Sequence, residues 1–129
     1  MKAVLSRFAP YILSLVRIVV GLLFLEHGAQ KHFYFPPGGN HPAITTLSGA
    51  AGAFEILCGV LIAIGLFTRP AAFLASGVMA FAYFLAHFPR GFFPVNNGGD
   101  GAILYCFIFF YLVFAGGGPL SLDALRGRK

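Results

Sequence analysis

The chain carries only four carboxylates, and Glu26, Glu55 and Asp100 fall within or at the mouth of long apolar runs. Charge is costly in hydrocarbon, so an embedded ionisable group is a candidate for function. Glu55 is the strongest of the three. It lies near the middle of its run, and Gly52, Gly59 and Ala63 fall within about 80° of it on a helical wheel. Small residues on one stripe mark close helix packing, so Glu55 is expected to face protein. There it must be neutral or paired. Two roles stand open. One is a structural ion pair with Arg17, roughly 8 Å different in depth on the neighbouring run. The other is a carboxylate that handles a proton or a substrate.

Glu26, His27, Gln30 and Lys31 crowd the far end of the first run, over an arc of about 140°. Such an arc is expected to face the bundle interior or a water-filled vestibule, with a structural polar plug and an outward-snorkelling Lys31 as the alternative. Arg17 shares its face with Gly21 and Gly28, where another helix can come close, or else snorkels to headgroups. Tyr83 and His87 are four apart and stack on one face, with His87 at the depth of His27. Two histidines at one level could ligate a haem, but nothing else supports it, and haem is not expected. Asn96, Asn97, Gly98, Gly99 and Asp100 precede the fourth run as turn and cap chemistry, and a helix start there could also hold an anion. With Arg90 nearby, these groups outline a polar vestibule at one end.

What positions them is a bundle of membrane helices. Of the 129 residues, 58% are hydrophobic and 10% charged, with a mean hydropathy of +0.83. An ordinary soluble domain has about a quarter charged residues. Four apolar runs, about 11–31, 47–67, 70–88 and 101–116, each approach the ~20 residues that span a bilayer. Proline- and glycine-rich breaks separate them: Pro36, Pro37, Gly38 and Gly39, then Thr68-Arg69-Pro70, then Pro89 to Gly99. The fold class is therefore all-α, an integral membrane four-helix bundle in one domain over 1–129. A cleaved leader is not expected, because the first run is too long and lacks a cleavage site.

The net charge of +5 does not form a nucleic-acid face. Lys2, Arg7, Arg69, Arg126, Arg128 and Lys129 would lie on one side and Lys31 and Arg90 on the other, which favours both termini inside. Cys58 and Cys106 sit in apolar runs without CxxC or metal spacing and read as small buried hydrophobes; no metal site is expected.

The pattern His27-Gly28-Ala29-Gln30-Lys31 resembles the first-helix signature of the DoxX family. Glu55-x-x-Cys58-Gly59, Gly65 to Ala72, Met79 to Phe84, His87 to Phe92, Asn97 to Asp100 and Leu104 to Phe107 are similar to its later segments, so the resemblance covers about residues 14–123. Asp100 stands where Glu is often seen, and Cys58 where a second Gly is common. The resemblance implies a multi-pass protein of the bacterial inner membrane. It also implies a link to quinone and sulfur chemistry, since archaeal relatives form a subunit of thiosulfate:quinone oxidoreductase.

On that footing the first reading is a redox subunit. A quinone head would hydrogen-bond to His27, Gln30 or His87, with Glu55 or Glu26 relaying protons. Electrons would come from a redox partner protein or a small sulfur anion, and no covalently bound cofactor is expected. Arg17, Lys31, Tyr83, Arg90, Asn97 and Asp100 are candidate binding residues. A non-enzymatic scaffold for redox partners and a proton-coupled transporter, which would need a homo-oligomer to enclose a path, are the alternatives.

Overall fold

The computed structural model describes residues 1–127, and every regular element among them is helical. These are α1 (Lys2–Phe33), α2 (Leu47–Ile64), α3 (Thr68–Ala82), α4 (Pro94–Asn97), α5 (Asp100–Ala115) and α6 (Leu122–Leu125). The α3 rod continues through a π-helical turn, Tyr83–His87, and a 3-10 turn, Phe88–Arg90. Three helical rods are long and apolar enough to cross a membrane: α1, α2 and the 23-residue rod Thr68–Arg90. At 16 residues α5 is shorter, about 24 Å of helix at 1.5 Å per residue. Of the basic residues that set the expected orientation, Arg128 and Lys129 lie outside the described residues.

The helix ends follow local chemistry. Thr46 caps α2, its Oγ1 accepting the Gly49 N–H at 3.1 Å. Gly65 ends α2 in the left-handed region, φ 70°, which a side chain would disfavour. The α1 helix starts at Lys2, well before the expected boundary near residue 11, and carries Pro10 inside it. No glycine or proline precedes Pro10, so residues 2–9, largely apolar apart from Lys2, Ser6 and Arg7, fold as a continuation of the rod.

α1 packs along α2, and α3 along α5, while α2 and α3 meet less extensively. Glycines set the α1–α2 distance. A Cβ at Gly28 would stand 2.5 Å from the Gly52 carbonyl oxygen, and one at Gly59 2.6 Å from the Leu25 nitrogen. Phe24, Cys58, Ile62, Ala72, Ala75, Phe109 and Leu112 fill the centre. Phe24 meets Phe109 edge-on at 4.8 Å. Leu15, Val19 and Leu22 of α1, Phe54 and Leu57 of α2, and Phe107, Phe110 and Phe114 of α5 are exposed. A girdle of large exposed apolar side chains around a core rich in small ones suits lipid and not water.

Candidate functional site

A cleft of about 850 Å³ opens where the C-terminal ends of α1 and the α3 rod meet the N-terminal ends of α2 and α5. Its walls are mainly apolar, from Phe24, Leu47, Phe54, Met79, Phe81 and Leu85 among others. Its polar lining includes Glu55, Lys31, His27, His87 and Tyr105.

Glu55 is 4% exposed, and its Oε1 receives Lys31 Nζ at 3.0 Å. Its second oxygen, Oε2, is buried without a hydrogen-bond partner. An orphaned buried acceptor is uncommon and calls for a partner. Of the two roles left open for Glu55, the structural pair with Arg17 does not form, and Lys31 turns to Glu55 and not outward as in the polar-plug alternative. The helix register decides this. Gly21 abuts Ala63 and Gly28 abuts Gly52 and Glu55, which sets Lys31 beside Glu55 and Arg17 at the other end of α2.

At that other end Arg17 is fully buried and surrounded by carbonyls. Its Nε donates to Gly117 O at 2.9 Å, Nη1 to Ile62 O at 2.8 Å and Ala63 O at 2.5 Å, and Nη2 to Leu120 O. The last carbonyls of a helix have no partner within it, and a guanidinium with five donors supplies several at once. Arg17 therefore ties α1, the end of α2 and the segment after α5 together, far from the cleft.

Both cleft histidines are held through Nδ1. That of His27 lies 2.7 Å from Leu23 O, and that of His87 3.2 Å from Asn97 O. Tyr105 meets the His27 ring edge-on at 5.9 Å and stacks near Phe109. Tyr83 stacks on His87 as its spacing predicts, but stands behind the lining. Asn97, 2% exposed, joins these pieces. Its Nδ2 donates to Tyr83 OH at 3.2 Å and Gly91 O at 2.9 Å, and its Oδ1 accepts the Gly99 N–H at 2.8 Å.

Of the residues singled out from sequence, Glu55, His27, His87 and Lys31 line one cleft, with Tyr83 and Asn97 supporting it. The others go elsewhere. Gln30 donates to Pro36 O at 3.3 Å, under the first loop. Glu26 is exposed on the outer stripe of α1 and does not line the cleft, so the expectation that it faces inward with its neighbours fails. Arg90 and Asp100 are exposed outside the lining, although Gly98 and Gly101 belong to it. Sequence reasoning missed Phe24 and Tyr105, whose ring centroids lie 5.9 Å apart. It also missed His32, which reaches Gly49 O at 2.7 Å. A lone aromatic in an aromatic-rich run carries no signal of its own. Cys58 and Cys106 are free thiols, Cys58 fully buried, and no cluster of three or more potential metal ligands occurs among the described residues.

Two curated proteins match along most of the chain. An uncharacterized protein of Haemophilus influenzae is 44% identical over 125 residues, covering 92% of this chain and 93% of its own. An uncharacterized membrane protein of Mycobacterium tuberculosis is 34% identical over 133 residues, covering 88% and 80%. No solved structure matches the chain. The family model named DoxX matches residues 12–88, which takes in most of α1, all of α2 and most of the α3 rod. This chain belongs to the DoxX family.

Proposed function

We propose that the chain is a multi-pass subunit of the bacterial inner membrane that binds a quinone-type headgroup in the cleft and supports electron transfer there. The observation that carries this reading is the orphaned Glu55 Oε2 set among apolar walls, beside Lys31, His27 and His87. Pockets for ring-headed lipids combine a large apolar surface with a few convergent polar atoms. Phe24 and Tyr105 offer ring faces, and Lys31 offers a donor to a carbonyl oxygen. A quinone supplies two-electron, two-proton redox chemistry when bound. Glu55 would accept or return the proton at Oε2, while Lys31 holds Oε1 in place.

In this reading α1, α2, the α3 rod and a tilted α5 all cross the bilayer, with both termini inside. Lys2, Arg7, Arg69 and Arg126 then lie on the inner side, and Lys31 and Arg90 on the outer. The cleft opens at the outer end, and a sulfur anion or a soluble redox protein delivers electrons there. The purified protein in lipid nanodiscs, given decylubiquinone and thiosulfate, tests it. Saturable quinone binding that weakens at least tenfold in Glu55→Gln supports the reading. Neither binding nor thiosulfate-dependent reduction, alone or with co-purified partners, overturns it.

A further inference from the structure

The cleft holds donors at Ser48, Tyr105 and Lys31, and three acceptors on Glu55, His27 and His87, of which one is buried without a donor. Leu23 O and Asn97 O can only accept, so the Nδ1 atoms of His27 and His87 must be the donors in those contacts. In a neutral imidazole the other nitrogen, Nε2, is then the acceptor. Glu55 Oε2 is a third acceptor and has no partner. Among charged lining groups the one cation is Lys31, and it is engaged with Glu55 Oε1. A carbonyl-headed or ether-headed ligand would leave Glu55 Oε2 as it is, buried and unsatisfied. Oε2 presents no open surface to the cleft, so a hydroxyl-headed ligand would satisfy it once the Glu55 carboxylate turns toward the head.

The walls define the rest of the ligand. Phe54 is 42% exposed, Leu85 58% and Phe81 71%, so the cleft is flanked by side chains that face outward from the bundle. These belong to α2 and the α3 rod, the helices that meet less extensively than the other packed pairs. Their exposed apolar side chains are the ones that meet lipid tails when the rods cross a bilayer. An apolar body entering past them keeps its tail among these residues and brings its head to Glu55.

We infer that the cleft selects a lipid-soluble aromatic alcohol, a phenol or quinol, whose hydroxyl donates to Glu55 Oε2. This rests on the reading of the cleft as a ring-headed lipid site. It adds a preference for the hydroxylated form over the carbonyl form. Charge-assisted hydrogen bonds to a buried carboxylate exceed neutral ones, and the expected discrimination is about tenfold or more.

The test uses the full chain in nanodiscs and two probes without redox chemistry, 4-dodecylphenol and its methyl ether, 4-dodecylanisole. Phenol binding at least tenfold tighter than ether binding in wild type, with the difference lost in Glu55→Gln, is the expected result. Equal binding of the two by wild type overturns the inference. The wild-type comparison needs no variant, so a misfolded Glu55→Gln chain leaves it decisive. Decylubiquinol and decylubiquinone in the same assay separate the two proposals. If phenol is preferred over ether but neither quinone form binds, the redox reading fails and the hydroxyl selectivity stands. If quinone and quinol bind alike, and phenol and ether bind alike, the selectivity fails and the redox reading stands.

Discussion

Lys31 and Glu55, 24 residues apart on neighbouring helices, meet at 3.0 Å at the edge of the cleft, the lysine side chain 23% exposed and the glutamate 6%. Removing one partner leaves the other charge uncompensated, which costs more than removing both. Lys31→Met is expected to destabilise the protein by about 2 kcal/mol, a value reduced from that of a fully buried pair because Lys31 reaches solvent. The double variant Lys31→Met with Glu55→Leu should recover most of that loss. Thermal unfolding in detergent checks both, and a double variant no more stable than the single one would show that the pair does not set local stability.

This pair also marks where sequence reading stops. The small-residue stripe of Gly52 and Gly59 put Glu55 against protein, and the glycines of α1 predicted a close approach. Spacing on one helix fixes a face but not the register between two helices. The connection between α1 and α2, from Tyr34 to Thr46, is long enough to permit several registers. Only the docking of Gly28 on Gly52 and Gly21 on Ala63 decides that Lys31, not Arg17, reaches Glu55. Tyr83 and His87 were legible because both lie on one rod. Glu26 was misread because an arc of polar residues need not turn inward as a unit.

Arg17 makes its own prediction. With its side chain gone, the carbonyls of Ala63 and Leu120 lose a donor at a buried site, while Ile62 O keeps the Gly65 N–H and Gly117 O the Ser14 hydroxyl. Arg17→Leu is expected to cost about 3 kcal/mol or more, since buried acceptors left unsatisfied carry the full desolvation penalty. Arg17→Lys should rescue little of it, because three donors on a single nitrogen cannot reproduce a planar fork. Amide hydrogen exchange should accelerate first in residues 117–121. An Arg17→Lys protein as stable as wild type would remove the guanidinium geometry from the explanation.

Asp123 links the C-terminal turn to the start of α3. Its carboxylate accepts the N–H groups of Phe67 and Thr68, each at 2.9 Å, and its own N–H donates to Gly65 O at 2.8 Å. Burial pushes this carboxyl up, but the two N–H groups and the charge of Arg126 outweigh it and hold it below its ordinary value of 3.8. A depressed folded-state value means that Asp123 contributes stability above the ordinary value and loses it as pH falls through the folded one. The difference in Tm between wild type and Asp123→Asn should therefore be steady at neutral pH and shrink once pH drops below 3.8. A gap that stays constant down to the lowest pH at which the protein remains folded would contradict the assignment.

Asn97 tests whether the cleft depends on the loop behind it. Its side chain joins Tyr83, Gly91 and Gly99, while its carbonyl holds His87 Nδ1. In Asn97→Ala the backbone carbonyl remains, yet the side-chain bonds that fix its position are lost, so His87 loses a defined anchor. Stability should fall by about 2 kcal/mol, in line with lost buried hydrogen bonds. Asn97→Asp keeps an acceptor for the Gly99 N–H and the Tyr83 hydroxyl but sets a buried charge against Gly91 O, and should be at least as unstable as Ala. If His87 is held in the cleft by this network, probe affinity should decline in the same order, measured at a temperature where all three proteins are folded. Unchanged affinity across the series, together with the expected stability loss, would place His87 outside the binding interaction and leave Glu55 to carry it.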